Sequence, residues 1–172
     1  MKLEEYVKLA QNGDKEALLK LIMDKKSELY RLAYVYTENQ EDSMDAMEDM
    51  IVILYQQIGK LKKPEAFYSW SKTILVNCCK SIIRKRKKIV SLDEVEHLLT
   101  DISLDNKESV MDVLVHLKTL SQEQQEAIKL KYLIGMDYKS IAMATKVPVG
   151  TVKSRVFNGL KKLKKSLGGE YL

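Results

Sequence analysis

Helix breakers are scarce: proline occurs twice and glycine seven times in 172 residues, which favours helices. Cysteine occurs only as the adjacent pair Cys78 and Cys79, with His97 and His116 far along the chain from both. Adjacent cysteines make a strained disulfide and lack metal-ligand spacing, so both thiols read as small hydrophobes that pack. No apolar run approaches the roughly 18 residues that span a membrane. The opening Met1-Lys2-Leu3-Glu4-Glu5 lacks the apolar core of a leader. A cytoplasmic protein without direct membrane insertion is expected. Also missing are a metal-ligand set, a nucleophile triad and a Gly-rich phosphate loop, so the chain reads as a non-enzyme needing no cofactor and no metal.

Charge is present in quantity and unevenly placed. The net +5 divides into +4 over residues 1–90, −5 over 91–110 and +6 over 111–172. Two basic blocks flanking an acidic segment suit contact with phosphate backbones, where neutralisation releases counterions. On charge alone solubility is the stronger reading.

The periodicity predicts an all-α chain of two small helical domains, one of four helices at residues 1–88 and one with a helix-turn-helix at 111–172, joined by an acidic linker at 89–110. In the first half Leu18, Leu21, Ile22, Leu29, Leu32 and Ala33 recur at helical spacing. Breaks fall at Asn12-Gly13-Asp14, where Asp14 can cap the next helix, and at Thr37-Glu38-Asn39. A helix is expected from about Glu41 to Ile58, stopped by Gly59. A basic loop, Lys60 to Pro64, leads into a helix from about Glu65 to Lys87. Four shorter pieces follow: Met111–Leu117, Ser121–Leu133 with a capping-box pattern at Ser121 and Gln124, Tyr138–Thr145 and Val149–Leu167.

Asp137 to Leu163 carries the clearest signal. A short helix with Tyr138, Ile141 and Ala142 meets the tight connection Lys146-Val147-Pro148, and Pro148 suits the start of a helix. There Val149, Val152, Val156, Leu160, Leu163 and Leu167 form one apolar stripe. The other face presents Thr151, Ser154, Arg155, Asn158, Lys162 and Lys165, with Lys153 and Lys161 at its edges. Hydroxyl, guanidinium and amide groups near the helix start read base edges, and lysines further along suit phosphates.

Tyr138-Lys139-Ser140-Ile141-Ala142 followed by Val147-Pro148-Val149-Gly150-Thr151-Val152-Lys153-Ser154-Arg155 resembles region 4 of extracytoplasmic-function sigma factors. In that family this helix reads the promoter −35 element, which implies that role for Thr151, Lys153, Ser154, Arg155, Asn158, Lys161 and Lys162. Lys146 stands where the family usually has glycine, so a left-handed conformation is expected there at roughly 1 kcal/mol. Asn158 stands where a basic residue is frequent, so the −35 sequence cannot be borrowed from relatives.

The first half extends the resemblance over nearly the whole chain except the linker. Leu9-Ala10-Gln11-Asn12-Gly13-Asp14-Lys15-Glu16-Ala17 and Leu29-Tyr30-Arg31-Leu32-Ala33 are similar to sigma region 2. Glu41 to Asp49 resembles the segment that grips the β′ clamp helices of the polymerase, with Glu48 in place of the usual glutamine. Met44, Met47, Ile51, Leu54, Tyr55 and Ile58 read as its core stripe. Asp45, Glu48 and Asp49 share another face, and Met50, Val52 and Ile53 lie outside the stripe. Acidic groups beside surplus apolar surface suit docking, which points to Asp45, Glu48, Asp49 and Val52.

Lys62, Lys63, Pro64, Phe67, Tyr68, Trp70, Asn77, Lys80 and Arg84 combine aromatics with cations, the pairing used on single-stranded DNA. The resemblance implies −10 recognition and melting. Lys62, Lys63 and Pro64 map to the loop that receives a flipped base, and Asn77 to a DNA-facing polar position. Phe67 and Trp70 also suit core packing, and for Trp70 the two readings weigh equally. The implied partners are the RNA polymerase core, through its β′ clamp helices and β flap, promoter DNA, and an anti-sigma factor, membrane-bound in many such systems. Nucleoid association when active, or retention at the membrane by that factor, would follow. The acidic linker would occupy the basic channel of the polymerase. The rival is a stand-alone helix-turn-helix regulator.

Overall fold

The structure, a computed structural model, describes residues 2–86 and 115–168, which belong to two compact units. The expected linker, Lys87 and Lys88 of the basic run, and the start of the helix at 111–114 lie outside the described residues. Among the described residues every regular element is helical.

The first unit contains α1 (Leu3–Gln11), α2 (Lys15–Asp24), α3 (Lys26–Thr37), α4 (Gln40–Gln57) and α5 (Phe67–Arg86). Asp14 caps α2 by accepting the Ala17 backbone N–H at 3.0 Å. Glu38 ends α3 in the left-handed conformation, and Asn39 accepts the Asp42 N–H at 2.9 Å to start α4. Both expected breaks are there. A third, at Lys25 between α2 and α3, has neither glycine nor proline to announce it.

Gly59 does not stop α4 in the expected way. It stays at negative φ within a 3-10 turn, Ile58–Lys60, and a second 3-10 turn, Pro64–Ala66, precedes α5. Pro64 supplies the fixed φ with which that turn begins.

The buried side of α4 is also rotated from the expected one. Ser43, Ala46, Met47, Met50 and Leu54 face inward, whereas Met44 and Tyr55 are exposed. Ser43 and Ala46 are small enough for neighbouring helices to approach closely. The Ser43 hydroxyl is satisfied within the fold, 2.6 Å from the Asn39 carbonyl and 2.7 Å from the Thr37 hydroxyl. Both α3 and α5 pack against α4, and Leu29, Leu32 and Ala33 of α3 and Phe67, Leu75 and Val76 of α5 are all essentially inaccessible. Cys78 and Cys79 are buried and unbridged, as packing residues should be. Burial pushes their thiols up to about 11 and about 12.

The second unit contains α6 (Gln122–Ile128), α7 (Tyr138–Thr145) and α8 (Val149–Ser166). Ser121 and Gln124 form the expected capping box. The α-helix expected to continue to Leu133 widens instead into a π-helical turn at Lys129–Leu133. Asp137 caps α7 through the Ser140 N–H at 2.8 Å, a bond that holds its carboxyl below the usual range. Lys146 adopts the left-handed conformation, φ 58°, and Pro148 stands immediately before α8. Val152, Val156, Gly159 and Leu163 form the buried line of α8, with Leu160 packed beside it. A Cβ on Gly159 would lie 2.6 Å from Ile128 Cδ1, so this glycine lets α8 and α6 approach closely.

Candidate nucleic-acid and docking surfaces

Along α8 the expected polar side chains are largely accessible. Ser154, Asn158, Lys161 and Lys162 are exposed, while Thr151 and Arg155 are half-buried at the margins. Ser154, Arg155, Asn158, Lys161 and Lys162 have no hydrogen-bond or ion-pair partner among the described residues. Lys153 is held differently. Its ammonium lies 5.7 Å from the Tyr138 ring centroid, and Lys131 lies 4.5 Å from the same ring. Two cations on one ring keep positive charge at the edge of the helix-turn-helix. Phe157, 67% exposed, was not singled out from the sequence.

On α5 the core takes Phe67, Ser71, Ile74, Leu75, Val76, Cys78 and Cys79. Trp70, Thr73, Asn77, Lys80 and Arg84, spaced three and four apart, therefore share the other side. The structure thus brings four expected residues into one stripe and adds Thr73, which the same spacing would have found. Lys80 stands 5.8 Å from the Tyr36 ring centroid on α3. Asn77 has no partner among the described residues.

Phe67 departs from this set. It is 1% exposed and cannot offer a ring face to a base, so its part is to anchor the start of α5. Tyr68 is half-buried and donates its hydroxyl to the Leu21 carbonyl at 3.3 Å. Burial, with Asp24 nearby, raises its phenol above the ordinary range. Trp70 is half-buried, its ring 6.4 Å from Phe67, so one part packs and another stays accessible.

Lys62 and Lys63 are exposed ahead of the half-buried Pro64. Behind Tyr68, Glu28 pairs with Lys72 and with Lys25, the latter at 3.3 Å. Burial alone would raise the Glu28 carboxyl, but the two lysines outweigh it and hold it below its usual value.

On α4, Asp45 lies three and four residues before the adjacent Glu48 and Asp49, Val52 lies four and three after them, and all four are exposed, Val52 by 54%. The three carboxylates make no hydrogen bond or ion pair among the described residues. With Asp42, Ile82, Lys85 and Arg86 they line a shallow groove between α4 and α5. Arg86 closes one end of it by pairing with Asp42 at 2.6 Å. Exposed Met44 and Tyr55 extend the apolar part of this helix. The surplus apolar surface is therefore Met44, Val52 and Tyr55, and Met50 belongs to the core.

Comparison with known proteins agrees with both halves. Residues 21–89 match the family described as Sigma-70 region 2, and residues 112–163 match Sigma-70, region 4. The RNA polymerase sigma factor SigV of Bacillus subtilis is 29% identical, the alignment covering 92% of this chain and 95% of SigV. The ECF RNA polymerase sigma factor SigW of the same organism is 28% identical, with 97% of each chain covered. Among solved structures, the sigma factor RpoE bound to the anti-sigma factor NepR from Bartonella quintana has a similar fold. Its TM-score is 0.69 at 23% identity, covering 88% of this chain and 96% of that one. With region 2 and region 4 both matched, and relatives aligned over nearly their full lengths, the chain belongs to the sigma-70 family of RNA polymerase sigma factors, in its extracytoplasmic-function branch.

Proposed function

We propose that this sigma factor binds the RNA polymerase core and directs it to promoters through three separate surfaces. Residues 1–88 act as region 2. Within them Asp45, Glu48, Asp49 and Val52 dock on the β′ clamp helices. Lys62, Lys63 and Pro64 receive an unpaired −10 base, while Trp70, Asn77, Lys80 and Arg84 hold the melted strand. Tyr68 takes part through the edge of its half-buried ring. Residues 89–110 link this unit to region 4 at 111–172, which sits on the β flap. There Arg155, Ser154, Thr151 and Asn158 meet base edges of the −35 duplex, and Lys153, Lys161 and Lys162 meet phosphates. Bond-making chemistry belongs to the polymerase.

The observation that carries this reading is the coexistence, on one helical unit, of an acidic and apolar face on α4, its three carboxylates unpaired among the described residues, and a separate polar, cationic stripe on α5. A stand-alone regulator needs a DNA-binding helix but no such docking face. An anti-sigma factor is the expected regulator, consistent with the NepR complex of the Bartonella relative. Membrane attachment would be a property of that factor, since no described helix of this chain is long and apolar enough to cross a bilayer.

The test adds the purified chain to core polymerase with a library of randomised promoters. Selective transcripts from the mixture, with weak DNA binding by the chain alone, are expected. Tight operator-like binding without polymerase would favour the rival regulator.

A further inference from the structure

Gln11 closes α1, and its half-buried side chain reaches the turn that precedes Lys62. Its amide nitrogen donates to the Ile58 carbonyl at 3.1 Å and to the Leu61 carbonyl at 2.8 Å. A primary amide nitrogen carries two hydrogens, and here both meet a carbonyl oxygen, so the orientation of the amide follows from its partners. The Ile58 carbonyl also accepts the Leu61 N–H at 3.1 Å. Gln11 thus clasps both ends of one turn from a helix 47 and 50 residues away.

The Leu61 carbonyl and the Lys62 N–H belong to one rigid peptide plane. Holding that carbonyl therefore fixes the direction in which the chain enters Lys62. On the far side Pro64 has a fixed φ, and the Lys63 carbonyl accepts the Ala66 N–H at 3.0 Å. Only the short stretch through Lys62 and Lys63 is suspended between these anchors. Both of its side chains are exposed.

We infer that Gln11 is a positioning residue for promoter melting: by clamping the Ile58 and Leu61 carbonyls it presets the Lys62-Lys63 loop in the shape that accepts an unpaired −10 base. This inference rests on the −10 role proposed for that loop. Gln11 acts through the loop backbone and needs no contact with DNA. Prearranging the loop removes an ordering cost that would otherwise fall on capture of the base.

Two variants of the full chain test it. Gln11→Leu keeps the bulk and removes both donors, whereas Gln11→Lys restores N–H donors within reach of the same carbonyls. In the free protein, the backbone order parameters of Lys62 and Lys63 should fall in Gln11→Leu from about 0.85 towards 0.6, and recover in Gln11→Lys. With core polymerase and a library randomised only in the −10 element, discrimination at the captured base should drop about three- to tenfold in Gln11→Leu. Polymerase affinity and −35 preference should match wild type, and Gln11→Lys should regain most of the loss.

Unchanged order parameters would overturn the clamp. A loosened loop with wild-type −10 discrimination would overturn its functional part, and so would parallel losses in polymerase binding and −35 preference, which mark a general structural role. Failure of the wild-type chain to direct initiation would instead overturn the sigma-factor reading of the loop, while the order parameters would still judge the clamp.

Discussion

Helices α4 and α8 are equally long, eighteen residues each, yet they yielded to sequence reasoning very differently. In α8 the apolar residues other than Phe157, which is 67% exposed, gather on one side, and the buried line through Val152, Val156 and Leu163 falls where the spacing predicts. In α4 Met44, Met47, Met50, Ile51, Val52, Ile53, Leu54 and Tyr55 wrap most of the circumference. Periodicity then permits several inward faces, and the one chosen buries Ser43 and Ala46 and leaves Met44 and Tyr55 outside. A helix that completes a core and also exposes large apolar residues carries two apolar surfaces, and its pattern cannot say which is which. The excess itself is the informative feature.

The comparison is broken most severely at Met50. If the inward face of α4 is correctly placed, Met50→Ala should cost about 2–5 kcal/mol in urea unfolding, against less than about 0.5 kcal/mol for Met44→Ala. Equal costs would return Met44 to the core. The outer face is sharpened by reversing Asp45 and Asp49 to lysine together. Polymerase affinity should weaken by about 2–4 kcal/mol in a titration with core enzyme while the unfolding midpoint stays near wild type. On α8, Arg155→Ala should cost roughly 1–3 kcal/mol of discrimination at a single −35 position. A uniform loss across sequences, measured by competition binding, would assign Arg155 to a phosphate instead.

A pH-dependent effect concerns α5, which packs against α4. The Cys79 thiol is held at about 12 in the fold, above its ordinary value near 9. Its folded value is raised, so the stabilisation it gives is complete below pH 9 and is lost as pH climbs from there towards 12. The expected slope is about 1.4 kcal/mol per pH unit from this group. Other groups titrate in the same window, so the measurement is the difference between wild type and Cys79→Ala, whose unfolding free energy should decline less steeply above pH 9. Parallel curves would show that the thiol does not titrate with unfolding.

Local signals were legible where a residue acts on its own neighbours. Asp14 and Ser121 cap the helices that follow them, Lys146 takes the left-handed turn, and Pro148 opens α8. Each depends on bonds or backbone angles within about four residues. The break at Lys25 and the widening at Lys129–Leu133 left no such mark, because no glycine or proline stands at either place. Of the candidate DNA-facing set, the basic and polar members of α5 fell on one side as their spacing implied. The aromatics divided: Phe67 went inside, Tyr68 was tied to Leu21, and Trp70 stayed between the two roles. An aromatic side chain suits a core and a base stack equally, so only its surroundings separate them.

Composition and short-range bonding were enough to make the chain helical, to set its charge in alternating blocks and to place the turn before α8, since none of the three needs a distant partner. Tertiary structure alone decided which side of α4 turns inward, that Phe67 is anchor rather than ligand surface, and that Gln11 reaches the Ile58 and Leu61 carbonyls. Those outcomes depend on which helices come together across tens of residues, and spacing along one helix carries no record of its neighbours.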